Sequence, residues 1–126
     1  ADALLRAYPE NIQRLVEATR RCVRQWLPDA VENVDVSARI ISYGHGPGYK
    51  GMVCTLILGR TGVKLGLVGG ATLSDPRGLL RGSGKAHRHV QLSTPEDLHR
   101  AGVKQLLLAA SAACRLRLSS NRQVRP

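Results

Sequence analysis

The stretch "MVCTLILGRTGVKLGLVGGA", Met52 to Ala71, limits the fold more than any other part of the chain. Two apolar, β-branched-rich runs, Met52 to Leu58 and Val63 to Val68, are separated only by Gly59-Arg60-Thr61-Gly62. A connection this short cannot cross over to make a parallel pair, so the two runs predict an antiparallel hairpin. The sheet that contains them must then be at least partly antiparallel, with helices to one side.

Helical periodicity lies on both sides of this hairpin. After Pro9, apolar or small residues recur at three- and four-residue steps: Ile12, Leu15, Val16, Thr19, Val23, Trp26 and Leu27. That pattern is the buried stripe of an amphipathic helix that stops before Pro28. Arg14, Arg20, Arg21 and Arg24 fall mostly on the opposite, solvated side. Asp29 to Val34 reads as a short second helix, and the alternation from Val36 to Tyr43 as a strand. His87 to Leu92 predicts a further strand. Ser93 or Thr94 can cap a helix that opens with Pro95, Glu96 and Asp97, is weakened at Gly102 and continues to about Cys114. The expected fold class is α+β: a curved antiparallel sheet packed on one face by N- and C-terminal helices. Residues 1–118 are expected to form a single domain, and the polar segment 119–126 a flexible tail.

The chain has 126 residues and no Phe, so an aliphatic core of one domain is expected. No apolar run reaches the ~20 residues of a membrane span, and no secretory leader is visible. Cys22, Cys54 and Cys114 lack the spacing of a zinc site or a disulfide frame, which points to free thiols in a cytoplasmic, reducing setting. The net charge of +10 is uneven. Up to Asp35 there are six acids and five arginines; from Val36 on there are three acids and fourteen Lys or Arg. Such asymmetry favours anionic partners.

Two glycine-rich segments are candidates for holding an anion. "SYGHGPGYKG", Ser42 to Gly51, matches GxGxxG at Gly46, Gly48 and Gly51, but a strand follows where the dinucleotide fingerprint requires a helix. "GLLRGSGKA", Gly78 to Ala86, has five residues rather than four before Gly84-Lys85 and lacks the hydroxyl that follows the lysine of a phosphate-binding P-loop. Neither motif implies a nucleotide cofactor. Both segments nonetheless carry cations and rings between glycines whose backbone N–H groups can form an anion nest. If they meet in space, Tyr43, His45, Gly46, Gly48, Tyr49, Lys50, Lys85, Arg88 and His89 would form a cationic rim, with tyrosine as a stacking wall. This is the expected ligand-binding set, for a small anionic or phosphorylated ligand.

The motifs of "IISYGHGPGYKG", "LVGGATLSDPRGLLRGSGKAHRHVQL" and "TPEDLHRAGVKQLLLAA" resemble the DUF1801, or YdhG-like, family over about Tyr8 to Ala113. The resemblance implies a small intracellular α+β protein. Some members are associated with frataxin-like iron handling through an acidic surface. Here that surface would have only Glu10, Glu17, Glu32 and Asp35, and the histidines His87 and His89 stand beside Lys85 and Arg88, which repel a cation. Frataxin-like iron binding therefore stands only as an alternative, with no metal ligands assigned. Nucleic-acid binding is the other alternative, which the basic half allows through Arg115, Arg117, Arg122 and Arg125. Few aromatic residues are available for stacking, and no helix-turn-helix is evident. No GxSxG or Cys/His signature predicts catalysis, and Asp75 beside Pro76 reads as a turn carboxylate.

Overall fold

The computed structural model describes residues 2–124. A short helix α1, Asp2–Leu5, leads into α2, Glu10–Trp26. Pro9 is the residue just before α2, and the Leu27 N–H closes its last turn on the Val23 carbonyl at 2.8 Å, ahead of Pro28. Five strands follow: β1 Val31–Asp35, β2 Ile40–Gly44, β3 Met52–Leu58, β4 Val63–Leu67 and β5 Arg88–Leu92. They pair in sequence order as an antiparallel meander. The chain ends in α3, Val103–Val124. The fold is α+β: an open antiparallel sheet with an N-terminal and a C-terminal helix against one face.

Each strand contributes alternate residues to the two faces. Ile41 and Tyr43, Cys54, Leu56 and Leu58, Val63, Leu65 and Leu67, and Val90 and Leu92 point toward the helices and are buried. They meet Ile12, Leu15, Val16 and Val23 of α2 and Leu106, Leu107, Ala110 and Cys114 of α3 in one aliphatic core. Cys54 and Cys114 are fully buried and Cys22 is half-buried; all three thiols are free.

The register leaves the other face as two rows running across the strands. One row is Asn33, Ser42, Thr55, Gly66 and His89; the next is Asp35, Ile40, Ile57, Lys64 and Gln91. The two edges of the sheet differ. Arg81 forms a β-bridge with His89, with N–H···O distances of 2.8 and 3.0 Å, and so covers part of β5, whereas β1 is the terminal strand on the other side.

Three local expectations are corrected. Val31–Asp35 is a strand, not part of a helix, because Glu32 leaves its inner face to meet Arg20 on α2: Arg20 Nε and Nη2 donate to its carboxylate at 3.0 and 2.7 Å. The expected strand from Val36 begins only at Ile40, since 36–39 turns the chain with Arg39 at φ +59°. The helix expected from Pro95 is a 3-10 turn, Pro95–His99, held by a Thr94–Asp97 capping box; Gly102, at φ +101°, breaks it from α3. Residues 119–124 continue α3, and residues 125 and 126 of the expected tail lie outside the described residues. Asp75 is a turn carboxylate: its two oxygens accept the N–H groups of Leu79 and Leu80, each at 2.9 Å.

Candidate functional site

The Ser42–Gly51 segment is a compact turn whose glycines are dictated by backbone crowding. His45 N–H donates to the Gly51 carbonyl at 2.7 Å, and Gly51 N–H to that of Gly48 at 3.2 Å. A Cβ on Gly51 would lie 2.1 Å from the Gly46 oxygen, and one on Gly44 would lie 2.4 Å from the Gly51 oxygen. The pairing shifts by one residue between Tyr43 and Gly44, a bulge that swings the turn away from the sheet. α3 holds the turn from the core side: Cys114 Sγ lies 3.6 Å from the Lys50 carbonyl oxygen, and Arg117 Nη2 donates to that of Met52 at 3.0 Å.

The second glycine segment comes to meet it. The rings of Tyr49 and His87 pack edge to face, with centroids 5.6 Å apart. The two segments therefore converge at one rim of the sheet, at the mouth of a cavity of about 550 Å³ on the open face. Its lining includes Asn33, Ser42, Thr55, Gly66, His89 and the apolar Ile40, Met52 and Ile57. A neighbouring cavity of about 610 Å³ beside the glycine turn shares Asn33, Ser42, Tyr49 and Met52 with it, so the two adjoin.

The expected site residues divide. Tyr49, Arg88 and His89 line the 550 Å³ cavity; His45, Gly46 and Gly48 line its neighbour. Lys50 and Lys85 are exposed in the two converging segments, with their side chains in solvent. Tyr43 does not fit the role of stacking wall. Its ring is 1% exposed on the core side, and its hydroxyl donates to Glu32 at 2.5 Å. Burial, then that carboxylate, pushes the Tyr43 hydroxyl well above the usual tyrosine range. His45 also faces inward: its Nε2 is 2.7 Å from Ser111 Oγ on α3. Ser111 is 7% exposed, so this histidine–serine pair braces the turn against the helix. Burial first, then the charge of Arg115, lowers the His45 pKa.

Sequence reasoning missed Lys64, Arg81 and the row Asn33–Ser42–Thr55–Gly66. Period two within the predicted hairpin already set Thr55 and Ile57, and Lys64 and Gly66, on one face; only the register aligns them. Arg81 gave no local signal, since it reaches the site by a single bridge outside any strand. Paired residues share a face, so Arg81 and His89 leave the sheet together. Burial, then Lys64 and Arg81, lowers the His89 pKa. At the β4–β5 end of the cavity Arg88 is in the lining and Lys64 and Arg81 stand nearby on the same face, while Asp35 stands on β1 at the far end. The described residues include no group of three or more His, Cys, Asp or Glu placed to hold a metal ion. No helix among them is long and apolar enough to cross a membrane.

No family model matches the chain, and no curated protein or solved structure is detectably similar to it.

Proposed function

We propose that this chain is a non-catalytic binding module that holds a small anionic ligand on the open face of its sheet, at the rim where the two glycine segments meet. The observation that carries the reading is the Tyr49–His87 contact beside a cavity whose nearby cations are Lys64, Arg81 and Arg88. A volume of about 550 Å³ suits a small organic molecule. Lys64 and Arg81 supply permanent charge. His89 supplies a ring N–H when neutral and a further charge when protonated, so anion binding tightens as pH falls. Membership of the DUF1801 family stays part of the proposal; it rests on the L-x-D-P-x-G-L-L and R-H-V motifs, the first of which forms the Asp75-capped turn. The three free thiols support a reducing compartment.

Titration of the protein with pyrophosphate, followed by amide chemical shifts, tests the site. Saturable shifts are expected at Tyr49, Lys64, His87 and His89, and the double variant Lys64→Gln, His89→Asn should abolish them. Shifts that stay unsaturated, or that survive in the double variant, would overturn the assignment.

A further inference from the structure

The binding reading says where charge is satisfied, but half of the cavity is not polar. Ile40 and Ile57 are direct cross-strand partners on the open face, and Ile57 is 40% exposed although it lies on the central strand of the sheet. Met52, beyond the Ser42–Thr55 row, adds a separate apolar contact in the same lining. An inorganic anion would leave these groups in water and use only the β4–β5 end.

The register connects the two halves. Ile57 is paired with Lys64, and Thr55 with Gly66, which in turn pairs with His89. Gly66 has no side chain to fill the space between the strip and the cations, and a Cβ there would come within 2.5 Å of Thr55 Oγ1. The result is a notch in the middle of the face, apolar toward β2–β3 and cationic toward β4–β5. Strands stand about 4.8 Å apart and residues two apart on a strand about 6.8 Å, so Ile57, two strands across and one row along, lies about 12 Å from His89.

From this we infer that the ligand, granted the anion site proposed above, is an amphiphilic organic acid. Its apolar body, about six carbons long or one aromatic ring wide, lies on Ile40 and Ile57. Its anionic head reaches across Gly66 to Lys64, His89 and Arg81. Each methylene removed from water strengthens binding about fourfold when fully buried, so a six-carbon body with about a quarter to a third of its surface covered by the open groove should gain about tenfold in all.

The test compares calorimetric titrations with inorganic phosphate, hexyl phosphate and hexanol. Hexyl phosphate should bind about tenfold tighter than inorganic phosphate, and Ile57→Thr, a β-branched replacement suited to a strand, should remove that gain while leaving the affinity for inorganic phosphate unchanged. Phosphate and hexyl phosphate binding within threefold of each other would overturn the amphiphile and leave the anion site standing. Hexanol binding as tightly as hexyl phosphate would overturn the anion site instead, and with it the proposed head group. Should Ile57→Thr unfold the protein, Ile40→Thr on the partner strand gives the same comparison.

Discussion

Replacing Glu32 with Ala tests how the site is held in place. Its carboxylate accepts from Arg20 Nε at 3.0 Å, Arg20 Nη2 at 2.7 Å and the Tyr43 hydroxyl at 2.5 Å. The side chains of Arg20 and Glu32 are only 12% and 20% exposed, and Arg20 keeps one further partner, Glu17, at 2.9 Å. Removing one partner of a buried ion pair costs about 3–5 kcal/mol, because the remaining charge stays desolvated. Residual exposure and the bond to Glu17 put Glu32→Ala at the lower end, about 3 kcal/mol. With a urea slope of about 2 kcal/mol/M, the unfolding midpoint should fall by about 1.5 M. Arg20→Met combined with Glu32→Leu removes both charges and should recover at least half of the loss. Acid titration adds an independent check. The Arg20 hydrogen bonds, above all, hold the Glu32 pKa below its usual range. Its contribution is therefore present above the ordinary glutamate pKa and is lost as pH falls through the lowered value. Stability of the wild-type protein should decline over that window more steeply than that of Glu32→Ala. A loss below about 1 kcal/mol, or a double variant as unstable as the single one, would refute the view that this triad fastens β1 and β2 to α2.

Gly51→Ala forces a methyl to within 2.1 Å of a backbone oxygen and should cost about 3 kcal/mol, read as a lowered urea midpoint together with loss of the Tyr49–His87 contact in nuclear Overhauser spectra. Arg39, at φ +59° in the β1–β2 turn, occupies a left-handed conformation that glycine adopts without strain; Arg39→Gly should raise stability by about 1 kcal/mol in the same assay. The lowered pKa of His45 means that its neutral form is favoured in the folded state, so its contribution is full above pH 6.5 and is lost as pH falls through the lowered value. Thermal unfolding should therefore shift down between pH 7 and 5, and less so in His45→Gln.

The hairpin, the α2 stripe and the α+β class were legible because each depends on neighbours in sequence: a four-residue link, a period of 3.6, a proline stop. β1 was not. Val31–Asp35 is short and follows Pro28-Asp29, which resembles a helix start; what makes it a strand is pairing with β2 and the reach of Glu32 to Arg20, twelve residues away. Tyr43 shows the same limit at the site. A tyrosine beside a glycine turn reads as surface, and the parity of β2, fixed by Ile41 in the core, turns it inward instead. The convergence of the two glycine segments was legible only as a condition, since 38 positions separate Tyr49 from His87 and the sheet alone brings them together.

The placement of the thiols has a practical outcome. Cys54 and Cys114 are sealed in the core, and burial raises the Cys54 pKa far enough to keep it protonated, so Cys22 is the half-accessible one. After a single Cys22→Ser exchange, a cysteine introduced at Ser42 would be the group that an alkylating dye finds. Occupancy of the sheet face could then be followed as protection of one engineered sulfur, before the natural ligand has been isolated.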